Sequence, residues 1–179
     1  MPTLIKTMPR VVDPGSATIQ NNLFIKNGEA WTAGAFLRVD TSGLLVELAT
    51  FVAATHGNIR AMALDTVTDP GNSTTAANVL LIADDTIFEG NMHHDTPSSA
   101  VATEAAIGQQ YGLHVGNNNA TTAVSVHNVD MEVKNTTNTC LQVTDIGSDY
   151  NPAENSTADV YGRVRFKILP SVIDGVAKS

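Results

Sequence analysis

The stretch that decides the fold covers residues 34–64, and its first half reads Gly-Ala-Phe-Leu-Arg-Val-Asp-Thr-Ser-Gly-Leu-Leu-Val-Glu-Leu over residues 34–48. In a strand over residues 35–40, odd positions would face one way and even positions the other. Asp40 and Gly43 favour a tight turn, because Asp bonds its own backbone and Gly accepts a positive φ. The apolar run that follows returns as a second strand, so we predict a β-hairpin, then a third strand over 58–64.

The remaining chain alternates short apolar runs with clusters of Gly, Pro, Asn and Asp, which is typical of strands joined by turns. Further strands are predicted over 21–26, 78–83, 86–91, 111–115, 123–126, 129–133, 139–144 and 160–169. We expect the strand over 86–91 to pair with the one over 78–83. One short helix is predicted over 98–110, since Ser98 or Ser99 could cap it and several alanines follow.

Many short strands with one short helix indicate an all-β fold, an antiparallel β-sandwich or β-barrel. A chain of 179 residues most simply forms one domain. Residues 1–20 hold three prolines together with apolar side chains, so we predict an extended N-terminal arm that packs on its own domain or on a neighbour. Residues 21–179 are predicted to form a single β domain. Its core is predicted to include Phe36, Leu45, Met62, Leu80, Leu113, Leu141, Val164 and Phe166.

The net charge of −8 is unevenly distributed along the chain. Residues 39–162 hold 15 of the 18 acidic residues and only two bases, so most bases lie at the two ends. This acidic bulk argues against a nucleic-acid partner, since phosphate contacts need a basic face. We expect no membrane partner either, because no apolar run approaches the length that crosses a bilayer. Lys6 and Arg10 interrupt any signal peptide, and Cys140 alone cannot form an intrachain disulfide.

Motifs for catalysis and cofactor binding are missing from the sequence. It has no phosphate-binding Gly-rich loop and no Gly-x-Ser-x-Gly elbow. The best metal candidate is His93 with His94 and Asp95, joined by Asp84 or Asp85, but structural zinc usually takes four well-spaced ligands. The acidic loop 145–159 lacks the spacing of a calcium loop. We therefore predict no catalytic residue, no cofactor, no metal and no enzymatic activity.

Five stretches of the chain resemble the decoration, or cement, proteins of tailed-bacteriophage heads. The matching stretches are residues 34–39, 40–44, 59–64, 107–113 and 159–169. The resemblance implies a non-enzymatic virion protein that lies on the capsid surface and forms a homotrimer. Its implied partners are the major capsid protein and further copies of itself.

Basic and apolar side chains near the two ends are the predicted points of contact with the capsid. These residues are Leu4, Ile5, Lys6, Arg10, Val11, Val12, Arg163, Arg165 and Lys167. One alternative is a phage fibre or receptor-binding β module that recognises a glycan, with Trp31, Tyr111, Tyr150 and Tyr161 as the aromatic candidates. A second alternative is a β-fold enzyme with a metal at His93 and His94.

Overall fold

The structure is a computed structural model, and it describes residues 8–49, 51, 58–96, 99–117, 125–147 and 162–174. These ranges contain eleven strands and two 3-10 turns, Glu104–Ala106 and Pro170–Val172. The strands are β1 Arg10–Asp13, β2 Thr18–Phe24, β3 Phe36–Val39, β4 Leu45–Glu47, β5 Ala61–Ala63, β6 Ala76–Leu81, β7 Ile87–His93, β8 Gln110–Asn117, β9 Ser125–Lys134, β10 Leu141–Ile146 and β11 Arg163–Ile168. The predicted all-β class is confirmed.

The strands form two sheets. The smaller sheet has the order β2-β6-β5-β3-β4, and the larger has the order β1-β7-β11-β10-β8-β9. In the larger sheet β7 also pairs with β9, in parallel, so that five strands close into a ring with β1 attached outside it. The other strand pairs in both sheets are antiparallel, as predicted.

The predicted hairpin is present as β3 and β4, with Leu37 opposite Glu47 and Val39 opposite Leu45. Asp40 makes the turn through its side chain, whose Oδ1 accepts hydrogen bonds from the backbone N–H groups of Leu44 at 3.0 Å and Ser42 at 2.8 Å. The bond from Leu44 is the largest cause that lowers the pKa of Asp40 below its ordinary value. Gly43 has the positive φ of +80° that the turn requires.

Strand β3 lies between two hydrophobic cores, and its odd and even positions face opposite ways, as predicted. Ala35 and Leu37 belong to the smaller core, while Phe36 belongs to the larger core between the two sheets. Phe36 there contacts Phe88 edge-on, with ring centroids 5.1 Å apart. All eight predicted core residues are buried, so the prediction of the core is confirmed.

The predicted helix over 98–110 is wrong, since the described part of that segment contains no α-helix, and its longest helical element is the 3-10 turn Glu104–Ala106. Tertiary contacts outweigh the local helix signal here. Thr103 is extended, and the backbone N–H of Gly108 donates to the carbonyl of Val143 at 2.8 Å, which draws the segment towards β10. Over the described ranges, no helix has the length and hydrophobicity to span a membrane.

Two predictions of strand arrangement also need correction. Strands β6 and β7 lie in different sheets, because the chain crosses between the sheets at the Asp84–Asp85 turn instead of folding back as a hairpin. The two short strands expected over 123–126 and 129–133 are one strand, β9, over its described length. Its pairing with β8 continues through His127 and Asn128, which the sequence suggested as a break.

The part of the predicted arm that the structure describes contributes a strand to each of the two sheets. Strand β1 pairs with β7, and β2 pairs with β6 across the expected boundary at residue 20. Pro9 is buried beside Gly34 and Gly90, where a β-carbon on Gly34 would lie 2.7 Å from the Pro9 carbonyl oxygen. Residues 8–20 therefore pack on their own domain, one of the two expected options, and residues 1–7 lie outside the described ranges.

Candidate functional site on the polar face of strand β7

Strand β7 carries a row of polar side chains on the face turned away from the larger core. Alternation places Phe88 and Met92 in that core and Glu89, Asn91 and His93 on the opposite face. These three residues, which we call the polar row, are nonetheless only 0%, 6% and 9% exposed. Buried polar groups need partners, so the groups around each end of the row decide what this face can do.

At the first end, three arginines surround the carboxylate of Glu89. Arg10 donates a hydrogen bond through Nη2 to Oε1 at 2.6 Å. Arg163 Nε lies 3.1 Å from Oε1, and Arg165 Nε lies 3.7 Å from Oε2. We call these four residues the arginine cluster.

Strand register produces the arginine cluster. Arg10 on β1 and Arg165 on β11 both stand directly opposite Glu89, one on each side of β7. Arg163 also donates through Nη2 to the backbone carbonyl of Glu89 at 3.2 Å. A buried carboxylate is tolerated only when charge and hydrogen bonds compensate its desolvation, and this arrangement supplies both.

The arginine cluster also makes this face basic. Three guanidinium groups share one buried carboxylate, and Asp145 adds a second acid at 3.6 Å from Arg165 Nη1. Positive charge therefore remains in excess even when Asp145 is counted. The Arg10 side chain is 60% exposed and that of Arg165 is 34% exposed, so part of this charge faces solvent.

The structure brings together capsid-contact residues that the sequence placed at opposite ends of the chain. Arg10 from the predicted arm meets Arg163 and Arg165 from the last strand, and alternation places Lys167 on the same face of β11. Val12 is 41% exposed, whereas Val11 packs against the larger core.

Three further predicted contact residues, Leu4, Ile5 and Lys6, lie outside the described residues.

At the other end of the polar row, His93 is surrounded by histidines and acids. Its ring stacks on that of His114, with centroids 3.7 Å apart and an angle of 18° between the planes. Its Nε2 lies 3.4 Å from Oδ1 of Asp95. The parallel pairing of β7 with β9 places Asp130 beside His93, and Glu132 follows two residues later on β9.

One donor atom from each of His93, Asp95 and Glu132 lies within 4.8 Å of the other two, and we call these residues the histidine–acid cluster. Sequence reasoning found the first two and missed Glu132, because only the parallel pairing of β7 with β9 brings it near. The suggested partners Asp84 and Asp85 both lie in the turn before β7, at the end of the strand opposite His93, and Asp85 accepts hydrogen bonds from Ser16 there.

Two other reactive side chains are structural. His127 is fully buried, with Nε2 3.1 Å from Oε1 of Glu47, and so links the two sheets. Cys140 is also fully buried, and burial strongly raises the pKa of its thiol. A thiol that is held neutral and away from solvent is not a nucleophile.

Two of the four aromatic residues predicted as sugar-stacking candidates are buried in the structure. Trp31 is 4% exposed and Tyr111 is 3% exposed. Tyr150 and Tyr161 lie outside the described residues. No family model matches the chain, and neither a curated protein nor a solved structure matches it.

Proposed function

We propose that this chain is a non-enzymatic virion protein that binds and stabilises the outer surface of a phage capsid, with the major capsid protein as its partner. One observation carries the proposal: Arg10, Arg163, Arg165 and Lys167, predicted as contacts from two distant parts of the sequence, lie on one face of one sheet. Together with the resemblance to decoration proteins, this shared face supports one continuous surface for contact with the capsid.

A basic face on an acidic protein has a physical advantage in docking. The chain carries a net charge of −8, so an acidic partner surface would repel most of it and attract the face around the arginine cluster. Such charge complementarity orients the protein during encounter and excludes wrong orientations. Val12, two residues after Arg10 on β1, adds exposed apolar area.

The proposed assembly is a homotrimer placed on a symmetry axis of the capsid. Strand β2 is an edge of the smaller sheet up to Phe24, after which Ile25 bridges to Leu45 on β4, and it exposes Ile19 at 71% and Phe24 at 47%. An exposed edge with apolar side chains is a ready surface for another chain, and a second copy is the occupant that we propose. Three linked contacts would strengthen docking by avidity without new interactions. In this proposal the closed ring of five strands is a β-barrel that carries the smaller sheet.

The experiment measures occupancy on undecorated heads as a function of protein and salt concentration. Lys167→Glu changes the charge of the face without removing a partner of Glu89. It should weaken binding roughly two- to fivefold at low salt, the effect of one rim charge, and less at high salt. Lys134→Glu, at a position opposite Tyr111 on β8, is the matched control and should leave binding unchanged.

A second variant removes residues 2–7 and keeps β1 intact. It should weaken binding at every salt concentration, because burial of Leu4 and Ile5 does not depend on screening. Light scattering on the parent protein should give three chains per particle. Parent-like decoration by both Lys167→Glu and the deletion would contradict the docking model, and glycan binding by the parent would favour the fibre alternative.

A further inference from the structure

We propose that His93, Asp95 and Glu132 form a binding site for one divalent transition-metal ion, with Zn²⁺ as the best fit. The site is separate from the arginine cluster and does not depend on the proposed capsid role. It would replace the prediction of no metal that the sequence spacing gave.

The donor distances suit such an ion. Two ligands of one tetrahedral zinc lie about 3.3–3.5 Å apart, given metal–ligand bonds of about 2.0–2.2 Å. His93 Nε2 and Asp95 Oδ1 are already 3.4 Å apart. All three donor atoms lie within 4.8 Å of one another, and the Glu132 side chain is 40% exposed and can turn inward. One imidazole and two carboxylates suit zinc, cobalt or manganese better than soft metals.

The surroundings hold the His93 ring in position and fix the backbone of Glu132. Stacking on His114 fixes the plane of the His93 ring, so its Nε2 is presented in a defined direction. The backbone N–H of Glu132 donates to Oδ1 of Asp130 at 3.0 Å, which fixes the chain where the glutamate begins. A ligand ring held in this way loses less entropy on binding an ion.

The neighbouring histidine is excluded as a ligand through Nδ1. His94 Nδ1 accepts a hydrogen bond from the backbone N–H of Thr96 at 2.9 Å, so its lone pair is engaged. The same bond closes the tight turn that carries Asp95 back towards His93. This geometry favours His93 over His94 as the metal ligand, a choice that the sequence alone could not make.

The test uses the untagged full-length protein, equilibrated by dialysis with Zn²⁺, and measures bound metal per chain together with calorimetric affinity. The parent should bind one Zn²⁺ per chain. Asp95→Asn and Glu132→Gln should each weaken that binding at least tenfold, since each keeps the side-chain shape and removes a charged donor. Asp84→Asn, another exposed aspartate in a turn, is the matched control and should bind as the parent does.

A second measurement tests the buried ligand His93 without replacing it, because its replacement could unfold the protein. The parent loaded with Co²⁺ should show a visible absorption band and a shifted imidazole resonance for His93, with His94→Gln giving the same spectrum. Three results would each overturn the site: no Zn²⁺ bound at millimolar concentration, parent-like affinity in both acid variants, or a cobalt signal that is lost in His94→Gln while circular dichroism shows intact folding.

Discussion

The two ends of the polar row on β7 use the same face of the same strand in different ways. At the first end, the Glu89 carboxylate is fully buried and three guanidinium groups face it. At the other end, the buried His93 lies near Asp95 and Glu132, whose side chains are 79% and 40% exposed. The acid is buried at one end, and the base is buried at the other.

This difference separates a structural role from a binding role. A buried charge whose partners belong to neighbouring strands ties those strands together, and removing it leaves several groups uncompensated. Exposed acids beside a fixed imidazole contribute little to stability, but they can close around a ligand. Stability should therefore depend on the arginine cluster, and metal binding on the histidine–acid cluster.

The largest effect should come from Glu89→Gln, which keeps the side-chain shape and removes the charge. Three arginines would then lose their shared counter-charge, and the free energy of unfolding should fall by about 3–5 kcal/mol. Urea unfolding followed by circular dichroism measures this loss.

Glu132→Gln is the matched change at the other end, and it should alter the free energy of unfolding by less than about 0.5 kcal/mol. Equal losses in the two variants would show that the two ends do not differ as described.

Within the arginine cluster, replacing the less exposed arginine should cost more unfolding free energy. The Arg163 side chain is 15% exposed, so Arg163→Met should cost about 1.5–3 kcal/mol of unfolding free energy, the range for hydrogen bonds to charged groups. Arg10 is 60% exposed, and Arg10→Met should cost less than about 1 kcal/mol. The same urea experiment tests the order. A larger loss for Arg10→Met would mean that β1 contributes more to this end than its exposure indicates.

The smallest effect concerns Asp85, which anchors the chain after β1 to the start of β7. Hydrogen bonds from the backbone N–H and the hydroxyl of Ser16 lower the pKa of Asp85 below its ordinary value of 3.8. A carboxylate with a lowered folded-state pKa stabilises the fold above its unfolded pKa, and that contribution is lost as pH falls through the folded value.

Asp85→Asn should therefore lose less stability than the parent when the pH falls below about 3.8, the ordinary pKa of an aspartate. Unfolding curves between pH 2 and pH 7 measure the difference. The exposed Asp84→Asn, its neighbour in the same turn, serves as control. Identical pH profiles for Asp85→Asn and the parent would contradict this role.

Local features of the fold could be predicted from the sequence. The hairpin of β3 and β4 follows from alternation and from the chemistry of Asp40 and Gly43, and both act within a few residues. The alternation in β11 correctly separated Val164, Phe166 and Ile168 from the charged face. Such patterns succeed because the period of a strand and the geometry of a turn are set by adjacent residues.

Distant pairings could not be predicted, because a strand pattern does not specify its partner. The helix over 98–110 failed for a related reason, since backbone bonds to β10 outweighed a local propensity of small magnitude. For the same reason, the prediction that β6 and β7 pair in one hairpin is wrong. Chain order suggested that pairing, whereas burial of both sheets against the shared core decided it.

The candidate sites show the same division. The sequence by itself identified Arg10, Arg163 and Arg165 as a set and His93 with Asp95 as a metal candidate, because charge and ligand type are properties of single residues. Only the tertiary structure placed Glu89 among the arginines and brought Glu132 to His93. Both contacts join residues on strands that are far apart in sequence. The pairing of β7 with β1, β11 and β9 brings these residues together through backbone hydrogen bonds, and side-chain patterns in the sequence do not reveal which strands pair.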